Sequence, residues 1–157
     1  MTTTHDAVIE RVFNAPRELV WKAWTDPEQV MRWWGPKAWT SPIAKIDLRV
    51  GGKYLFSMKT TEGEIYYSTG TYQEVTPMDK LVFTDSFSDE SGNIISPTQV
   101  GMSENFPEVL LITLTFEDVP NGTRMTLRHS GMPVGGEREM TEAGWQESLD
   151  KLEATLR

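Results

Sequence analysis

The spacing of apolar residues changes twice along the chain, and each change marks a new kind of element. Val8 to Phe13 is a run of β-branched and aromatic residues that reads as a strand, cut off by Asn14-Ala15-Pro16. Pro16 then suits the first helical position, and Leu19, Val20, Ala23 and Trp24 recur on one helix face. Asp26 supplies an N-cap for a second short helix, with Pro27 opening it, Gln29 as a capping-box partner and Gly35-Pro36 as the stop.

From Ile43 to Gly131 the period falls to two. Tyr54, Phe56 and Met58 alternate with Leu55, Ser57 and Lys59, and Leu81, Phe83 and Phe87 alternate with Val82, Thr84 and Ser86. Turn chemistry at Gly51-Gly52, Glu62-Gly63, Pro77-Met78-Asp79 and Asn121-Gly122 separates about six strands, and hairpin succession implies an antiparallel sheet. Asp89 to Pro107 keeps no period and reads as a long irregular loop, a candidate lid. A helical spacing returns near Thr141, where Trp145, Leu149, Leu152 and Leu156 form a stripe on an otherwise charged helix. That stripe needs a partner, and a sheet with one apolar face needs a cover. The expectation is an α+β fold in one domain over residues 1–157: an antiparallel sheet of about seven strands covered by a long C-terminal helix, with two short helices after the first strand.

Composition narrows the function more than the fold. With 15 Lys and Arg against 23 Asp and Glu, the net charge of −8 repels phosphate backbones and anionic lipids, so nucleic acid is not an expected partner. Arg124 and Arg128 share a strand face and read as a solvated outer surface. No stretch has the length of a membrane span, and the N-terminal residues lack a signal-peptide pattern, so a cytoplasmic protein without membrane insertion is expected. The absence of cysteine removes disulfides, thiolate metal ligands and thiol nucleophiles. His5 and His129 are the two histidines, too few for a catalytic zinc site without cysteine, and neither metal nor cofactor is expected. The S-x-x-K pattern at Ser148 to Lys151 lacks its companion motifs.

The ordered segments FNAPRELVWKAWTDP (13–27), WWGP (33–36), DLRVGG (47–52), GTYQEVTP (70–77), LVFT (81–84), TLRHSG (126–131) and GWQESLDKL (144–152) together resemble a known family. It is the family of proteins like the C-terminal domain of the Hsp90 ATPase activator Aha1, within the superfamily of START domains and Bet v 1. The resemblance implies the helix-grip fold, with a cavity between sheet and terminal helix that often takes apolar ligands. It implies no one reaction. The chain resembles only that domain of the eukaryotic activator, and at Asp85 many relatives carry tryptophan.

Such a cavity would be lined from the sheet by Phe56, Met58, Tyr66, Tyr72, Phe83, Leu111, Met125, Leu127 and His129, from the terminal helix by Trp145 and Leu149, and at its mouth by Trp39. Of the clustered tryptophans, Trp21, Trp24, Trp33 and Trp34 read as core or rim. Alternation puts Asp85 on the face of Phe83 and His129 on that of Leu127, so a carboxylate and an imidazole both point inward. These readings leave three functions: non-catalytic binding of a small hydrophobic or amphipathic molecule, which leads; a protein-interaction module with a partner such as a chaperone; and a cyclase or hydrolase with Asp85 and His129 as acid and base.

Overall fold

The computed structural model describes residues 6–133 and 135–156, and His5 lies outside them. The elements in chain order are β1 (Ala7–Phe13), α1 (Arg17–Thr25), α2 (Pro27–Trp33), β2 (Ala44–Ile46), β3 (Lys53–Lys59), β4 (Ile65–Thr76), β5 (Lys80–Ser88), a single 3-10 turn (Pro97–Val100), β6 (Leu110–Val119), β7 (Gly122–Ser130) and α3 (Gly136–Thr155). The strands form one seven-stranded sheet in the order β1-β7-β6-β5-β4-β3-β2, with every neighbouring pair antiparallel. Successive hairpins build six of the strands; β1 joins by pairing with β7, from Ala7 opposite His129 to Phe13 opposite Thr123. This is the helix-grip α+β arrangement, with α3 on the concave face.

Local chemistry sets the short helices. Pro16 is the N-cap of α1 rather than its first helical residue, and its carbonyl accepts from the Leu19 and Val20 amides. Val20, Ala23 and Trp24 are buried as their spacing requires, but Leu19 is 47% exposed: it lies on the edge of the stripe and turns toward solvent. The Asp26 side chain accepts from the Glu28 amide and starts α2. No capping-box bond from Gln29 closes the reciprocal pair, because the Asp26 amide is already spent on the Lys22 carbonyl as the last bond of α1. α3 begins at Gly136 rather than near Thr141. Its extra turn carries Glu137 and Glu139 close to the positive end of the helix and needs no apolar stripe. Glu137 also accepts from the Ser103 amide and hydroxyl, which ties the long loop to this helix end.

Trp24 is the hub of the core. It meets Trp33 edge-on at 4.5 Å and Trp145 of α3 at 6.0 Å, and Phe83 of β5 lies 6.5 Å away. The Trp33 indole donates to the Ala23 carbonyl at 2.9 Å, so the largest buried ring also locks α2 to α1. On the opposite face of the sheet Arg124 pairs with Glu10 and Glu117, and Arg128 with Asp6, which makes that face a solvated, ion-paired surface. Such exposed pairs contribute little each.

Trp33→Ala removes this fully buried ring, and urea unfolding should show a loss of about 3–5 kcal/mol. Leu19→Ala, on the same pair of helices, should change stability by less than about 0.5 kcal/mol.

Candidate functional site

The site begins with an interruption in the sheet. The ladder between β4 and β5 pairs Thr69 with Ser86 and Tyr72 with Phe83, and between them the bonding runs through side chains. The Thr71 amide donates to Thr84 Oγ1 at 2.8 Å, while the Thr84 carbonyl accepts from the Tyr54 hydroxyl at 2.9 Å. Tyr54 belongs to β3, so its ring must cross β4 to reach β5. Gly70 permits this: a Cβ there would stand 2.7 Å from Tyr54 Cε1 and 1.7 Å from the Thr84 oxygen. Irregularities of this kind re-aim side chains. Here Asp85, Ser86 and Phe87, three consecutive residues, all line one cavity, which strict alternation would forbid.

That cavity, of about 460 Å³, lies between the sheet and the N-terminal half of α3. Trp34, Gly35, Pro36 and Trp39 form one wall, and Met140, Thr141, Gly144, Trp145 and Ser148 of α3 form another. Val100, Met102, Phe106 and Pro107 close it from the long loop, where Phe106 packs on Phe87 at 6.0 Å. Lys151 fastens the mouth: its ammonium donates to the Pro36 and Trp39 carbonyls at 3.1 and 2.9 Å, and burial lowers its pKa. Trp39 stacks on Tyr66 across the opening at 5.9 Å.

The polar groups in this lining are few and unevenly served. Asp85 Oδ1 lies 2.8 Å from the Tyr54 hydroxyl. Tyr54 has one proton for two acceptors, Asp85 and the Thr84 carbonyl, so both contacts are satisfied when Asp85 is protonated and donates to the tyrosine oxygen. Burial raises the carboxyl pKa to about 6, against the pull of the Tyr54 hydrogen bond, and burial beside Asp85 raises the tyrosine well above its ordinary value. At the other side His129 Nδ1 accepts from the Trp145 indole at 3.1 Å, which puts the imidazole proton on Nε2. Burial lowers the histidine pKa to about 4, so the ring is neutral at pH 7. His129 Nε2, Trp34 Nε1, Ser68 Oγ and Ser86 Oγ are buried, belong to residues lining the cavity, and have no hydrogen-bond partner among the described residues. Orphaned polar atoms of this sort are expensive in a closed core.

The expected lining divides in two. Trp39, Met58, Tyr66, His129 and Trp145 line the cavity, and so does Asp85. Phe56, Tyr72, Phe83, Met125, Leu127 and Leu149 face the same interior but are packed solid in the core, because the Trp24 cluster fills that end between sheet and helix. Leu111 is on the wrong face: the buried residues of β6 are Leu110, Ile112, Leu114 and Phe116, and it is Leu110, opposite Asp85, that reaches the cavity. Sequence reading missed Trp34, Ser68, Ser86 and the loop residues, although the aperiodic stretch from Asp89 had marked the loop. Asp85 and His129 are not joined. They bond to different partners, Tyr54 and Trp145, and β6 runs between their strands. Among the described residues no cluster of three or more His, Asp or Glu could hold a metal ion, and no helix is long and apolar enough to cross a membrane.

Residues 14–157 match the family model described as activator of Hsp90 ATPase homolog 1-like protein. Among solved structures, a protein from Chromobacterium violaceum is 26% identical with a TM-score of 0.78, over 96% of this chain and 96% of that one. A protein from Arthrobacter aurescens is 27% identical with a TM-score of 0.77, over 98% and 90%. The AHSA1 protein from Silicibacter pomeroyi is 26% identical with a TM-score of 0.73, over 97% of each chain. No curated protein matches the chain significantly.

Asp85 and His129 should leave opposite marks on stability. The folded chain holds the Asp85 proton up to a pKa of about 6 against 3.8 in the open chain, so its contribution is full below 3.8 and is lost as pH rises through 6. His129, with a pKa of about 4 against 6.5, contributes fully above 6.5, and that is lost as pH falls through 4. Asp85→Asn removes only the first. Relative to wild type, its stability in urea should rise between about pH 4 and pH 7, by up to about 3 kcal/mol. A carboxyl carbon resonance of Asp85 titrating near its ordinary value would contradict this assignment.

Proposed function

Because the chain belongs to the family of activator of Hsp90 ATPase homolog 1-like proteins, with its match running from residue 14 to residue 157, we propose that it shares a binding rather than a catalytic role. In this reading it is a module that holds a small apolar or amphipathic molecule in the cavity between sheet and α3. The observation that carries the proposal is the composition of the cavity wall. Apolar side chains, aromatic rings and methionines foremost, supply most of it, and four buried polar atoms in the lining residues lack a partner among the described residues. A space of about 460 Å³ falls in the range of small-molecule sites. An apolar ligand there would remove the remaining apolar wall from water.

The separation of Asp85 from His129 supports the non-catalytic reading. A general acid and base must both reach the reacting atoms, and the neutral imidazole offers its Nε2–H as a donor while its Nδ1 lone pair is taken by Trp145. That leaves it a hydrogen-bonding group. The loop from Val100 to Pro107, tied to α3 through Ser103 and Glu137, is placed to admit and then cover the occupant.

Gly144 gives a clean test. A Cβ built there meets only Pro36 Cγ at 3.9 Å, so Gly144→Leu should fill the cavity while improving helix propensity. A neutral apolar dye, N-phenylnaphthylamine, should bind the wild type saturably at one site per chain and quench Trp145, with affinity falling at least about tenfold in Gly144→Leu at an unchanged or higher melting temperature. Absence of saturable binding to the wild type would end this reading. A charge at Phe83 or Leu127, both within the closed core, should instead unfold the chain.

A further inference from the structure

Among the described residues, the charged side chains of the cavity lining are of one sign. Asp85 and, at the exposed rim, Glu108 are the acidic residues of its lining, and no lysine or arginine joins them. One ammonium stands at the mouth, that of Lys151, and it is engaged by two backbone carbonyls, of Pro36 and Trp39. His129 is a neutral donor and adds no positive charge.

Asp85 is also half used. One of its oxygens is engaged by Tyr54, whose single proton is shared with the Thr84 carbonyl, and the other makes no hydrogen bond to the described residues. Ser86 is its chain neighbour, and Ser68 stands opposite Phe87 on the adjoining strand. Both hydroxyl oxygens are buried without partners and can accept as well as donate. Around them stand the rings of Trp34, Trp39 and Trp145, whose faces attract a cation. The cavity therefore offers acceptors and aromatic rings in one lining, and none of its described lining residues carries a positive charge to receive an anion.

Resting on the cavity-binding reading above, we propose that the occupant is a small organic cation: an apolar amine whose ammonium binds the free oxygen of Asp85, with the hydroxyls of Ser68 and Ser86 as further acceptors. A carboxylate in an apolar cavity is costly without a countercharge, and an ammonium supplies one together with donors. A neutral alcohol supplies donors only, and a carboxylate ligand would face like charge. The titratable groups around Asp85 are Tyr54 against it, Tyr66 and Glu108 at the opening, and His129 on the far wall; the α3 lining carries none. Since Asp85 holds its proton up to about pH 6, ammonium binding at or below that pH should expel one.

Three probes with the same ring system separate the possibilities: naphthylethylamine, naphthylethanol and naphthylacetate, titrated into the full chain by calorimetry at about pH 7.5. The amine should bind at least about tenfold more tightly than the alcohol, with the acetate weakest. In Asp85→Asn the advantage of the amine should vanish while the alcohol still binds, which also shows that the variant is folded. Below about pH 6, amine binding should release a proton, read from the dependence of the heat on buffer ionisation. Equal affinity for amine and alcohol, preference for the acetate, or an amine advantage that survives in Asp85→Asn overturns this inference and leaves the cavity reading standing. If none of the three binds the wild type, both fall.

Discussion

The tryptophan wedge between the short helices and α3 sets the shape of everything else. Trp24 and Trp34 meet Trp145 at 6.0 and 5.5 Å, and these rings are too large to let the helix lie flat on the sheet along its whole length. Beyond them, toward the C-terminus of α3, Leu149 and Leu152 sink into a closed core. Toward the N-terminus the helix stands off, and the gap is the cavity. Two of the rings that hold the helix in place, Trp34 and Trp145, thus also line the site, which couples stability to binding. Cavity-lining positions on that wall are poor places for conservative repacking, because the surface they present inward is also structural.

Within that frame the ladder between β4 and β5 is interrupted beside the site. The Tyr54 hydroxyl, the Thr84 carbonyl and hydroxyl, and Gly70 replace part of a backbone ladder with a side-chain relay, and the result turns three successive β5 residues to the cavity. The relay holds Asp85 in an apolar wall without a cationic partner among the described residues. A half-buried carboxylate in an apolar wall is costly for folding, and polar groups kept at such cost are most readily understood as parts of a site. At the far wall Trp145 performs the matching service for His129, fixing its tautomer so that a donor remains.

Periodicity made the fold legible because it reports burial directly: period two gave the strands, and the spaced stripe from Trp145 to Leu152 gave the covering helix. It failed at margins where burial is not periodic. Leu19 has a helical-face neighbour on each side yet sits at the stripe's edge, and the first turn of α3 is polar, so nothing apolar announced Gly136 as its start. At β6 two leucines stand side by side, and choosing Leu111 over Leu110 is a one-residue parity error that reverses the face. Asp85 could be placed inward from alternation, but its partner could not be found that way. Tyr54 lies two strands away, and their contact exists only because Gly70 between them lacks a side chain. Which inward residues face open space is likewise a property of the packed tryptophans, and no local pattern records it.

Methionine methyl resonances provide the most direct test that this interior is a binding site. Met58, Met102 and Met140 surround the cavity, whereas Met125 is sealed in the core and Met31 lies on the outer surface of α2. With methyl-labelled protein and a saturating neutral naphthyl ligand, intermolecular NOEs should run to Met58, Met102 and Met140 and be missing from Met125 and Met31. NOEs confined to Met31 or another surface methyl, with the three cavity methyls unmoved, would contradict the account.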